Sequence, residues 1–205
     1  MKEKINKQKL IMLTGTAAFS ALVVVIQLTL GMVTIGTINL NFVLIPIVLS
    51  AICFGTLSGV ITATTFGIVV YVQSIMGVQA FGLILYNISP LYTAIGCIVR
   101  SALVGLLCGL IYKWLSKTKM KKYLAYTITA FCAPIINTGI FMLVLVTLFN
   151  GKVNEMVSDG GTTLISFLFV SIAGINFIFE FLTTTILTPP IAAALEKFKN
   201  RSQNQ

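Results

Sequence analysis

The sequence contains no histidine and only five acidic residues, Glu3, Glu155, Asp159, Glu180 and Glu196, in 205 positions. Without histidine, the commonest metal ligand and general base is missing. No HExxH, GxSxG or Walker A pattern occurs, and the loop acids Glu155 and Asp159 are not spaced like a metal site. These absences speak against acid–base or metal chemistry and against a subunit that hydrolyses its own nucleotide. The four cysteines, Cys53, Cys97, Cys108 and Cys132, lie in apolar runs without a CxxC pair, so neither a disulfide framework nor a zinc site is indicated. No cofactor and no metal are expected.

Charge is scarce as well. Charged residues make up 9% of the chain and hydrophobic ones 57%, with a mean hydropathy of +1.00. Soluble domains carry about 25% charged residues. So few charges cannot cover a water-soluble fold of this length, which makes this an integral membrane protein, in contact with lipid, with one membrane domain over residues 1–205. The net charge of +9 sits at the chain ends and in one loop, with no aromatic interleaving. A nucleic-acid partner is therefore not expected.

Lys2, Lys4, Lys7 and Lys9 precede an apolar run over residues 10–30, as in a signal peptide. The run is longer than a signal core and no small-x-small cleavage site follows, so it reads as a retained transmembrane helix. A spanning helix needs about 20 apolar residues. The pattern predicts helices over 10–32, 42–54 (short, with Pro46), 60–75, 90–112, 123–149 (with Pro134 and Asn137 inside) and 174–195. FGTLSG, residues 54–59, reads as a tight glycine turn or a helix break, and 76–89 as a linker. The apolar stretch 162–195 is too long for one crossing, so 162–173 is assigned to a short dipping or interfacial segment. Pro189-Pro190 is expected to disturb the last helix near its end. The expected fold is all-α with six transmembrane helices.

Lysine and arginine favour the cytoplasmic side of a membrane. With six crossings and both termini cytoplasmic, twelve of the fourteen basic residues fall inside, including the five lysines of loop 113–122, and only Lys152 falls outside. The short tails 1–9 and 196–205 are then cytoplasmic. Three external segments become candidate lids: the loop around Asn39, the linker carrying Tyr86 and Asn87, and residues 150–161.

Arg100 is the fourteenth basic residue and belongs to no loop. A charge at membrane depth costs ~2.5–3.5 kcal/mol on insertion scales and marks a functional site by default. It either binds a substrate carboxylate or phosphate through its planar fork or pairs with Glu180 across helices. Tyr92 and Gly96 are on its helical face at i−8 and i−4. Asn176 and Glu180 share a face of the last helix, and Asn137 follows Pro134 by one turn. An arginine, a glutamate and two asparagines at similar depth suggest a small-ligand cavity with hydrophobic walls. The candidate binding residues are Arg100, Asn137, Asn176, Glu180, Tyr86, Asn87, Tyr92 and Asn39. Small-residue spacings, Ala17-x-x-x-Ala21 and Gly105-x-x-x-Gly109, would let helices approach closely.

Residues 41–69, NFVLIPIVLSAICFGTLSGVITATTFGIV, place a proline-containing helix before an FG-x-x-x-G turn. With Ala17-x-x-x-Ala21 and the tail INFIFEFLTTTILTPPIAAALEKF, they resemble the substrate-specific S components of energy-coupling factor (ECF) vitamin transporters. The resemblance covers most of the chain. It implies a binding subunit in a prokaryotic plasma membrane that captures a vitamin or precursor from outside. The partners it implies are a transmembrane coupling protein, docked at Ala17 and Ala21, and two cytoplasmic ATPase subunits. The arginine and asparagine pattern is most like pantothenate carriers. Riboflavin, a pyridoxal-type vitamin, a thiamine precursor and folate remain open, as does an autonomous small-solute facilitator. The few aromatics near the polar residues, Tyr86, Tyr92 and Phe177, argue mildly against a large planar ring.

Overall fold

The computed structural model describes residues 2–32, 34–35, 38–39, 42–149 and 174–203. The segments expected as an external loop (150–161) and a dipping helix (162–173) lie outside the described residues. Helix α1 (Lys2–Thr29) ends in a short 3-10 turn (Leu30–Met32) and a two-stranded antiparallel hairpin, β1 (Thr34–Ile35) and β2 (Ile38–Asn39). There follow α2 (Leu44–Phe54), α3 (Thr56–Ile75) and α4 (Ala80–Ile88). Next come α5 (Pro90–Leu115), α6 (Lys122–Leu148) and α7 (Gly174–Gln203).

Among the described residues, five helices are long and apolar enough to cross a membrane: Lys9–Thr29 within α1, α3, α5, α6, and Asn176–Phe198 within α7. Helix α2 is apolar too but has 11 residues, about 16 Å at 1.5 Å per residue, half of a ~30 Å hydrocarbon core. Of the six expected spans, five are helices of spanning length and the one over 42–54 is not. Every residue of α2 from Leu44 to Ile52 is buried. A helix apolar all round belongs in a core. Around α2 the core gathers Val23 of α1, Phe66 of α3, Val104 and Cys108 of α5, Tyr126 and Ala133 of α6, and Ala192 of α7.

The glycine turn lies where the sequence placed it. Gly55 adopts φ 99°, a region that favours glycine, and its N–H bonds to the Ala51 carbonyl at 3.1 Å. This lets α3 start at once and run back along α2. The Gly105-x-x-x-Gly109 spacing also has its physical reason. A Cβ on Gly105 would sit 2.4 Å from the Gly59 carbonyl oxygen, and one on Gly109 would sit 2.6 Å from Thr56 Cα. Helices α3 and α5 therefore cross backbone to backbone. Buried hydroxyls join α1, α2 and α3: Thr16 to Ser58 (2.6 Å), Ser58 to Ser50 (2.7 Å) and Ser50 to Thr62 (2.9 Å). Gln27 of α1 donates to Gln73 of α3 at 2.7 Å.

One expectation is corrected: the linker 76–89 holds helix α4, whose residues Phe81, Leu85 and Ile88 pack on Phe141, Leu145 and Phe149 at the end of α6. The last helix runs through Pro189 and Pro190. Thr188 and Ala192, fully buried on either side, fix its path by packing. At the end of the bundle opposite α4, Glu196 accepts hydrogen bonds from Lys122 and Tyr126, and Tyr126 stacks on Tyr112. That contact ties α5, α6 and α7 together.

Candidate functional site

Arg100 is carried by α5 just after a π-helical turn, Ile95–Val99. Such turns insert a residue into an α-helix and occur often at functional sites. Eight residues of α-helix make about 2.2 turns. The wider π turn absorbs the excess, so Tyr92 and Arg100 both meet α6. The Tyr92 ring packs edge-on against Phe149 at 6.0 Å. The Arg100 guanidinium carbon lies 4.8 Å above the ring of Phe141.

Phe141 is one turn beyond Asn137 on the same face of α6. Asn137 Nδ2 donates to Glu180 Oε2 of α7 at 3.4 Å, and both residues are 7% exposed. Three candidates therefore converge on one stretch of α6: Arg100 at Phe141, Glu180 at Asn137, and Asn137 itself. Arg100 and Glu180 are close enough to interact electrostatically, yet they form no ion pair. Among the described residues, Arg100 Nε is enclosed without a hydrogen-bond partner, and so is Glu180 Oε1. The cross-helix ion pair considered as the alternative role of Arg100 is not made.

Buried polar groups are nearly always hydrogen-bonded, so an exception calls for a specific reason. Here a guanidinium nitrogen and a carboxylate oxygen are both enclosed and, among the described residues, without a hydrogen-bond partner, in the same region between apolar helices. A cation–π contact holds the guanidinium in place while occupying none of its donors.

The other candidates lie further off. Asn176 is half-buried, one turn before Glu180 on α7. Tyr86 packs edge-on against Tyr71 at 6.2 Å, and Asn87 is exposed on α4. Tyr92 is 40% exposed, two turns from Arg100. Asn39 ends strand β2, beside α7; its side chain lies outside the described residues. Ala17 and Ala21 are exposed on the outer face of α1.

Two aromatic residues escaped the sequence reading. Phe141 supports Arg100, and Phe81 of α4 packs edge-on against Phe141 at 6.5 Å. The i, i+4 spacing from Asn137 was the available signal for Phe141. Nothing in the sequence marked Phe81, because its partner is 60 residues away. Through these two rings α4 covers the Arg100 end of the site.

Comparison with known proteins agrees with this architecture. Residues 12–192 match a family model described as "ECF transporter, substrate-specific component". No curated protein matches the sequence. The matched region takes in α2 to α6 whole and most of α1 and α7, including Arg100, Asn137 and Glu180. The chain belongs to the family of ECF transporter substrate-specific components: it is a multi-pass membrane subunit that binds a small-molecule substrate for import with an ECF module, and not an enzyme.

Proposed function

We propose that the chain captures pantothenate outside a prokaryotic cell and delivers it through an ECF complex. Arg100 binds the vitamin's carboxylate. The observation that carries this reading is the Arg100 guanidinium held over Phe141 beside the Asn137–Glu180 pair, its Nε enclosed and, among the described residues, without an acceptor. An arginine needed only to join helices would be paired, because an uncompensated charge at membrane depth costs ~2.5–3.5 kcal/mol. Asn137 and Asn176, with the lid residues Tyr86, Asn87, Tyr92 and Asn39, complete the proposed site, α4 and the β1–β2 hairpin forming its cover.

The proposed topology has six crossings, α2 being the short one, and both termini in the cytoplasm. Its support is the placement of twelve of fourteen basic residues on one side. The power comes from partners: a transmembrane coupling protein and two cytoplasmic ATPases. Ala17 and Ala21, small and exposed on α1, form the docking stripe, where a partner helix can come close.

The test is labelled-pantothenate uptake into vesicles containing this chain with and without a coupling protein and its ATPases. Uptake is expected only with the whole complex and ATP. Equilibration through the chain alone would contradict the proposal and establish a facilitator.

A further inference from the structure

The site has two unpaired poles among the described residues. Glu180 Oε2 is occupied by Asn137, and Glu180 Oε1 is enclosed without a described partner. Arg100 Nε is enclosed and unpaired in the same way. The two do not satisfy one another, although they face a common stretch of α6. Asn137 and Phe141 mark the poles along that helix, four residues or about 6 Å apart. A ligand that met only Arg100 would leave a carboxylate oxygen buried and unsatisfied, which is unfavourable in a low-dielectric site.

We infer that Glu180 Oε1 is the second recognition point of the site, so that the substrate carries an acid for Arg100 and a hydrogen-bond donor for Glu180. This rests on the transport reading above and narrows it to bifunctional ligands. It also fixes their direction. In the proposed topology α6 runs outward from Lys122, so Asn137 and Glu180 lie deeper than Phe141 and Arg100. The ligand enters donor end first and leaves its acid under α4. For pantothenate, the hydroxyl end meets Glu180 and the carboxylate meets Arg100. Acids without a donor at the far end, and neutral polyols without an acid, are rejected, because each leaves one pole unpaired.

The test is calorimetric titration of the detergent-purified full chain with three probes: pantothenate, its bis-O-methyl ether, and the alcohol in which the carboxylate is replaced by hydroxymethyl. The wild type is expected to lose at least tenfold in affinity for each altered probe. Arg100→Gln should bind pantothenate and the alcohol within twofold of one another. Glu180→Gln keeps one acceptor for Asn137 but presents an amide donor at the open position. It should bind pantothenate and its ether within twofold of one another. If Glu180→Gln cannot be purified, the wild-type series decides alone. Wild-type affinity unchanged by methylating the hydroxyls, or full discrimination retained by Glu180→Gln, would overturn the inference while leaving the transport reading intact. No binding of any probe by the wild type would overturn the pantothenate reading and this inference together.

Discussion

Replacing Arg100 by methionine should move stability and affinity in opposite directions. The side chain of methionine roughly matches the aliphatic stem of arginine and packs well on an aromatic ring. Among the described residues Arg100 has no hydrogen-bond partner at Nε and no ion pair; its partner is the Phe141 ring at 4.8 Å. A charge at this depth costs ~2.5–3.5 kcal/mol, and a cation–π contact offsets ~0.5–2 of that. The net burden on the empty protein is therefore roughly 0.5–3 kcal/mol. Arg100→Met removes it, so the ligand-free protein should unfold at a higher temperature, by about 1 °C or more for a chain of this size. Binding should weaken instead. A hydrogen bond to a charged group is worth ~1.5–3 kcal/mol, roughly ten- to 150-fold in Kd at 1.4 kcal/mol per tenfold. Thermal unfolding in detergent with and without ligand, together with calorimetric titration, reads both quantities. A variant that is less stable when empty and binds as tightly as the wild type would refute the reasoning and make Arg100 a structural residue.

Phe141→Leu should weaken ligand binding roughly 2- to 30-fold, the scale of a cation–π contact of ~0.5–2 kcal/mol, whereas Phe141→Trp should retain it; titration of both variants checks this. Gly105→Val should destabilise the chain by ~1–3 kcal/mol, because its Cβ would lie 2.4 Å from the Gly59 carbonyl oxygen; an unchanged melting temperature would contradict the close crossing of α3 and α5. Ala17→Trp with Ala21→Trp should abolish co-purification with the coupling protein and leave ligand binding within twofold. Loss of ligand binding in that variant would place the two alanines in the fold rather than at the interface.

The parts of the fold legible in the sequence were those set by local chemistry. Long apolar runs gave the spanning helices to within a few residues, and Gly55 in FGTLSG gave the α2–α3 corner. Helix α4 was hidden because AFGLILYNI is nine residues long; a short apolar run between Gln79 and Ser89 carries too little periodicity to separate helix from linker. The double proline does not end α7; in a bundle, packing at Thr188 and Ala192 supports a helix where backbone bonds are lost. At the site, charge alone pointed to Arg100 and Glu180, spacing pointed to Asn176 on the face of Glu180, and Asn137 stood out only as a polar residue inside an apolar helix. What the two charged residues do with each other was not readable. Arg100 finds Phe141 and Glu180 finds Asn137, and both choices depend on where α6 lies between α5 and α7.

Native mass spectrometry of the purified subunit, wild type and Arg100→Met side by side, asks what Arg100 holds. A bound small molecule bearing an acid group, with the mass of pantothenate, is expected on the wild type and is expected to be lost from the variant. A bound ligand without an acid group, or one retained equally by Arg100→Met, would contradict it.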